Sequence, residues 1–347
     1  MSAQSTVDPF LAATDGRRVK YTPVWFMRQA GRSLPEYRAL RGEGSILDAI
    51  KQPRVAADIT LQPVRRYGVD AAVLYSDIIV PAHAVGFGID VTPGTGPVAQ
   101  QPFRNSGDLS RLRKLEPELD TPYVIETVRL LATELDVPLL AFAGAPFTVG
   151  SYLVEGRPSR DYVHTKALMS TDKILWDELM HRLAEHAIAS IRSQLDAGAS
   201  AFQLFDSWAG ALTVDEYRND VLKYSRHVFD EIRSSHPNAP GIHFGVGCDH
   251  LLEEMYSAGP RVIGLDWRSS ISDVRGRLGA DTIVQGNLNP ELVLGTVEQA
   301  LRGAEAVIAD NAGNPGHIFN LGHGVQPSTN PDVLAAVVRY VHEQTAL

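Results

Sequence analysis

Cysteine is almost missing from this chain, with Cys248 alone among 347 residues. A single thiol excludes an intramolecular disulfide and a zinc site of the His/Cys/Cys kind, and it suits a reducing compartment. Positive charge is also in deficit: 32 Lys and Arg against 41 Asp and Glu leave a formal charge of -9. Nucleic-acid scaffolds need a basic face, so that class is excluded, whereas a small anionic ligand is not. The first twenty residues contain no apolar core of a secretory signal. The uncharged stretch from Val137 to Val154 is broken by Pro138, Gly144, Pro146 and Gly150, with Thr148 and Ser151 adding polar groups. It therefore reads as strand, loop and helix start rather than a membrane span. There is no HExxH, and Gly94 and Gly96 form a bare Gly-x-Gly outside any strand-to-helix context, which leaves little ground for a dinucleotide site. No internal repeat stands out.

What is present is globular in composition, 44% apolar and 21% charged. Short apolar runs recur at Pro23–Phe26, Ala71–Tyr75, Pro138–Phe142, Ala201–Phe205, Gly241–Phe244, Arg261–Leu265, Thr282–Val284 and His317–Leu321. They lack strict alternation, as strands buried on both faces of a parallel sheet do. Helical segments lie between them. Thr121-Pro122 and Asn330-Pro331 place a capping residue before proline, and Thr213-x-x-Glu216 is a capping box. The longest helix starts at Thr171 or Asp172, keeps Ile174, Leu175, Leu179, Leu183, Ala187, Ile188, Ile191 and Leu195 on one face, and ends at Gly198. Eight strands alternating with helices predict an α/β fold, a single-domain (β/α)8 TIM barrel, with a doubly wound open sheet as the alternative. Residues 1–10 read as a flexible terminus and 11–347 as the barrel. Between Asp77 and Pro138, glycines and prolines from Gly86 to Pro97 predict a hairpin or long loop.

In such a barrel the residues following each strand converge on one mouth. These are Arg28 and Arg32, Asp77, Tyr152, Ser207 and His323, with Gly245, Asp266, Trp267 and Asn287 at the intermediate strand ends. Seven basic residues between Arg17 and Arg41 face one acid, Glu36, so the segment around Arg28 and Arg32 carries about +6 in an acidic protein. Gly31 between the two arginines allows an unusual turn, and paired guanidiniums suit a polyanionic ligand. Asp77 reads either as a cap of the next helix or as a carboxylate aimed into the mouth. His323, between Gly322 and Gly324, reads as a ligand contact. Taken alone, Tyr152 and Ser207 read as structural hydrogen-bonders. Metal chemistry is the main competitor, because His243, Cys248 and His250 are close in sequence; His181 and His186, five apart, do not share a helix face.

The stretch Met27-Arg28-Gln29-Ala30-Gly31-Arg32-Ser33-Leu34-Pro35-Glu36-Tyr37-Arg38 closely resembles the signature of the uroporphyrinogen decarboxylase family. The resemblance continues through Tyr75-Ser76-Asp77-Ile78, Pro146-Phe147-Thr148 to Gly156, Phe205-Asp206-Ser207-Trp208-Ala209-Gly210, Gly264-Leu265-Asp266-Trp267, Gln285-Gly286-Asn287-Leu288 and Phe319-Asn320-Leu321-Gly322-His323-Gly324. It implies a cytoplasmic, homodimeric (β/α)8 catalytic domain that uses neither metal nor organic cofactor and touches neither membrane nor nucleic acid. The implied reaction removes CO2 from the four acetate side chains of uroporphyrinogen III, giving coproporphyrinogen III on the way to haem. Carried over by position, substrate binding falls on Arg28, Gln29, Ala30, Gly31, Arg32, Asp77, Tyr152, Ser207 and His323, and catalysis on Asp77 and Arg28. Ser33, Arg157 and Asn289 depart from the family pattern without touching these positions. The competing readings are a methyltransferase of the same superfamily, which would need zinc on His and Cys, and a non-catalytic tetrapyrrole or anion carrier.

Overall fold

Seven of the eight apolar runs are parallel strands of one sheet in the computed structural model, which describes residues 8–31, 33–42, 44–92 and 94–347. In chain order the strands are β1 (Ala72–Val73), β2 (Ile89–Thr92), β3 (Gly96–Ala99), β4 (Leu139–Gly144), β5 (Ala201–Asp206), β6 (Gly241–Gly245), β7 (Val262–Gly264), β8 (Val284–Gln285) and β9 (His317–Ile318). The large sheet runs β1-β4-β5-β6-β7-β8-β9 and every pairing is parallel. Each crossover carries helices, the arrangement of a TIM-barrel-like fold. The remaining run, Pro23–Phe26, is reduced to one parallel bridge, Val24 with Phe319. Pro23 has no N–H, and the Val24 amide donates to the Asp70 carboxylate at 2.7 Å instead of to a neighbouring strand. On the other flank the Asp70 amide donates to the Val24 carbonyl at 2.8 Å, so the run lies between β9 and the start of β1.

The interior of this sheet is not purely apolar. Trp25 Nε1 donates to Gln285 Oε1 at 2.9 Å, Gln285 Nε2 to Gln203 Oε1 at 2.9 Å, and Gln203 Nε2 to Met27 Sδ at 3.4 Å, all buried. Each polar group in this chain has a partner, so its burial is tolerated and three separated segments are tied together.

The predicted hairpin is β2–β3, paired antiparallel from Ile89↔Ala99 to Thr92↔Gly96. The longest helix spans Lys173–Asp196, with the Asp172 carboxylate accepting from the Leu175 amide. Its buried face is the predicted one except for Ile174, which is 85% exposed. Successive helical residues point about 100° apart, and Leu175 already takes the inward place in that turn. The Thr213 capping box and the Asn330 cap both form. Thr121 does not cap: its hydroxyl donates back to the Pro117 carbonyl, because a preceding turn at Pro117–Asp120 offers an acceptor first. At the start of the chain, order begins earlier than predicted. Asp8 caps a helix at Pro9–Thr14 and Phe10 is fully buried; residues 1–7 lie outside the described set. Val137–Val154 resolves into β4 followed at once by a helix at Pro146–Glu155, and among the described residues no helix is long and apolar enough to cross a membrane.

Candidate active site

The loop after the first run is built around Gln29. Its side chain is fully buried, accepting from the Phe26 amide at 2.9 Å and donating to the Ala71 carbonyl at 2.9 Å. Two more bonds pin the same loop from the far side: the Met27 amide donates to Asn320 Oδ1 at 3.1 Å and the Val325 amide to the Met27 carbonyl at 2.8 Å. Between these anchors Arg28 is held at φ 60°, in the left-handed region, with its side chain exposed. For a residue with a Cβ this costs on the order of 1–2 kcal/mol. Gly31, where the sequence placed an unusual turn, does take a positive φ of 156°, and Arg28 itself occupies the left-handed well. The Gln29 side chain is spent on backbone groups and acts as the scaffold of its neighbour.

Arg28 needs room on its other side, and Gly324 supplies it. A Cβ at Gly324 would lie 2.5 Å from Arg28 Cδ, 2.8 Å from Cγ and 3.2 Å from Cβ. The companion glycine, Gly322, lets a different segment approach: a Cβ there would lie 2.3 Å from the Trp267 amide nitrogen. The two glycines beside His323 are therefore packing requirements. His323 itself is half-buried, its Nδ1 accepting from the Gly324 amide at 2.7 Å, which leaves the proton of the neutral ring on Nε2. Burial, and next the nearby Arg28 cation, hold its pKa below the ordinary histidine value.

Asp77 follows β1 and is half-buried. Its Oδ1 accepts from the Ile79 amide at 3.1 Å and its carbonyl from the Val80 amide at 3.2 Å, so it closes the turn that leads into the helix at Val80–Ala84, whose own N-cap is Ile79 with no side-chain cap. The same carboxylate also acts across the mouth. Burial and then the charge of Asp77 push the Tyr152 phenol well above its usual range, while Arg28 opposes them. Arg28 is thus close enough to influence both Tyr152 and His323. Tyr152 projects from the helix at Pro146–Glu155 and lies on Trp208, ring centroids 3.8 Å apart at 35°; Tyr162 meets the same indole edge-on at 5.1 Å. Ser207, half-buried after β5, immediately precedes that indole. The turn is fixed from below by Asp206, fully buried, which accepts from Thr148 Oγ1 at 2.8 Å, while Thr148 Oγ1 accepts from the Trp208 amide at 3.2 Å.

The structure places Arg28, Asp77, Ser207 and His323 in the segments that follow their strands and Tyr152 on the helix after β4, with Ala30 half-buried and Gly31 buried in the arginine loop. Arg32 lies outside the described residues. Beside His323 a cleft of about 220 Å³ is lined by Arg28, Trp267, Glu291 and Gln326. Trp267 presents its edge to His323 at 6.3 Å and carries the Arg268 guanidinium on its face at 3.9 Å. Glu291 went unnoticed in the sequence, where nothing marks a surface charge as lining a cleft. Asp266 and Asn287, expected in the polar ring, are buried scaffold. Asp266 accepts from Arg268 Nη1 at 2.7 Å and from the Gly247 amide at 2.5 Å, and Asn287 Nδ2 donates to the Asp266 and Ser269 carbonyls. The +6 segment does not form one patch either. Arg17, Arg18 and Lys20 precede the first run and lie towards the opposite end of the sheet from Arg28, Arg17 pairing with Asp15 at 3.1 Å.

His243, Cys248 and His250 do not converge. His243 Nδ1 faces the Met255 carbonyl at 3.2 Å, His250 Nε2 the Leu212 carbonyl at 2.8 Å, and Cys248 Sγ the Val246 carbonyl at 3.5 Å. Burial pushes the Cys248 thiol up, the reverse of what a thiolate ligand needs.

Fold and site together define a TIM-barrel-like protein with an arginine, a carboxylate, a phenol and an imidazole grouped at its mouth. The family model for uroporphyrinogen decarboxylase (URO-D) matches residues 5–344, and the chain belongs to that family. It is 50% identical to the uroporphyrinogen decarboxylase of Streptomyces avermitilis over 338 residues, covering 97% of this chain and 94% of the relative. It is 51% identical to that of Streptomyces coelicolor over 337 residues, with the same coverage. Among solved structures, a methyltransferase from Methanosarcina mazei superposes with a TM-score of 0.79 at 18% identity, covering 97% of this chain and 98% of that one. At that identity the likeness is one of fold.

Proposed function

We propose that this chain is a carboxy-lyase that removes CO2 from the four acetate side chains of uroporphyrinogen III, giving coproporphyrinogen III in haem biosynthesis. It works as a single (β/α)8 domain, in a cytoplasmic homodimer, without metal or organic cofactor. The observation that carries this reading is Arg28, held in an unfavourable backbone well with its stem against Gly324 and its charge felt by both Tyr152 and His323.

A pyrrole bearing an acetate cannot lose CO2 directly, because the electrons left behind have no acceptor. Protonating the adjacent ring carbon creates a cationic ring that takes them. Asp77 accepts hydrogen bonds from the pyrrole N–H groups and stabilises that cation, most strongly where the site excludes water. Arg28 and Arg32, with the backbone of Ala30 and Gly31, hold acetate and propionate carboxylates. Tyr152, Ser207 and His323 orient carboxylates, His323 donating from Nε2. With a pKa above 12, arginine is a poor acid, so the proton reaches carbon from a water or a substrate carboxyl group held by Arg28.

Asp77→Asn keeps the shape of the side chain and removes its charge. An anaerobic turnover assay on uroporphyrinogen with product separation should show a rate loss of about 100-fold or more, the scale of removing one electrostatic stabiliser. A folded variant that turned over near the parent rate would refute the role. Binding of porphyrinogen by the parent protein with no CO2 released would instead identify a carrier.

A further inference from the structure

The helix at Lys173–Asp196 packs beside the helix at Leu222–Ser235, and their exposed seam is a ladder of charged pairs. Lys173 meets Asp220, Lys223 meets Asp177 at 3.0 Å and Arg192 meets Glu231 at 2.6 Å. One rung breaks this rule. At the middle of the ladder, His181 and Glu185, one turn apart, face His227 across the seam. Among the described residues this is the group of three whose imidazole nitrogens and carboxylate oxygen all lie within 4.8 Å of one another. His227 Nε2 is 2.8 Å from Glu185 Oε1, and the two imidazole rings lie nearly parallel at 5.9 Å.

We infer that His181, Glu185 and His227 form a divalent transition-metal site, of the class that takes zinc, which crosslinks the two helices on the outer layer of the protein. Two imidazoles sharing one carboxylate make a poor salt-bridge rung, because one negative charge balances only one of two imidazolium charges. The same set is well suited to zinc: two nitrogens and one carboxylate oxygen, with water completing a tetrahedron. With metal–ligand bonds of about 2.0–2.1 Å, donors at the corners of a tetrahedron sit about 3.3 Å apart. The three side chains are exposed or half-exposed, so their rotamers are free to adjust from separations within 4.8 Å towards that spacing. The i, i+4 spacing of His181 and Glu185 puts both on one face of one helix, and His227 comes from the other helix. The site stands apart from the decarboxylation chemistry, and the expectation that the reaction itself uses no metal is unaffected.

The full-length protein, stripped with a chelator and titrated with zinc by calorimetry, should bind one ion per chain. X-ray absorption should show two imidazole nitrogens at about 2.0–2.1 Å. His181→Ala and His227→Ala should each weaken binding by more than the roughly 10–100-fold that follows from disturbing a ligand's outer partners. Zinc should raise the unfolding midpoint of the parent and leave that of either variant unchanged. Both variants sit on an exposed seam and should retain the parent circular dichroism and metal-free unfolding midpoint. Unchanged zinc affinity in a folded His181→Ala/His227→Ala double variant would overturn the assignment, as would zinc bound in competition with uroporphyrinogen.

Discussion

Gly324→Ala tests whether the placement of Arg28 matters to turnover, without touching a polar atom. Gly324 has no positive φ, so alanine meets no backbone penalty of its own. The added methyl carbon would lie 2.5 Å from Arg28 Cδ, 2.8 Å from Cγ and 3.2 Å from Cβ. A clash with Cδ alone could be relieved by swinging the guanidinium end aside. Contact at Cγ and Cβ cannot, because those atoms are fixed by χ1 and by a backbone held at φ 60°. The stem must therefore leave its rotamer or the loop must shift against the bonds to Gln29, Asn320 and Val325.

A charged hydrogen bond is worth about 1.5–3 kcal/mol, so a guanidinium displaced from one carboxylate should lower kcat/KM by about 10–150-fold. The unfolding midpoint should fall only modestly, because Arg28 is exposed and can move outward. The anaerobic turnover assay, paired with thermal unfolding, measures both. Gly322→Ala is the contrasting control. There the new carbon would meet backbone, 2.3 Å from the Trp267 amide nitrogen and 2.9 Å from the Asp266 carbonyl carbon, so stability should drop by about 1–3 kcal/mol or more. Turnover by Gly324→Ala within about twofold of the parent would mean that Arg28 does not need this position, and the clamp argument would fail.

Two further predictions follow from buried groups. His317 is buried with Nε2 donating to the Gly286 carbonyl at 2.8 Å, and burial above all lowers its pKa to about 4. The native state thus resists a proton that the unfolded chain takes up near 6.5, so its contribution to stability is intact above that pH. It is lost as pH falls from about 6.5 towards 4, by about 3 kcal/mol at 1.36 kcal/mol per unit. Denaturant unfolding of parent and His317→Gln at pH 7 and pH 4.5 should show the shallower pH dependence in the variant; parallel curves would exclude His317 as the source. Trp208→Leu removes the rings on which Tyr152 and Tyr162 rest, each contact worth about 0.5–1.5 kcal/mol, so kcat/KM should fall by about 2–12-fold as Tyr152 loses its orientation. An unchanged value in a folded variant would show that the stack does not position Tyr152.

The strands were legible because a parallel sheet buried on both faces imposes a sign that any window reveals: apolar runs without alternation, each ending in a turn residue. Seven runs pair in that way, and the same logic located the mouth, since polar groups at strand ends gather there. What could not be read was the division of labour among those polar groups. Asp266 and Asn287 looked equivalent to Asp77, yet their partners are a loop amide at residue 247, a nearby arginine and two carbonyls, which only the folded chain brings near. Gln203 lies inside an apolar run and Gln285 just after one, and the sequence marks neither as part of a buried network. Their link to Trp25 joins positions 260 residues apart, beyond any local pattern.

The arginine loop shows why the family motif resists reading one residue at a time. Arg28 in a left-handed well costs on the order of 1–2 kcal/mol. The offset comes from Gln29, which ties the loop to the residue before β1, and from Asn320 and Val325, which tie it to the segment after β9. Gly324 then leaves space for the stem. Residues 28–29 and 320–325 therefore form one device, assembled where the last strand meets the first. A methyltransferase shares this fold at 18% identity, so the fold alone does not specify the device. If the proposed function holds, specificity for a polyanionic substrate rests on the pairing of these two loops, and a substitution in either should be felt at the guanidinium.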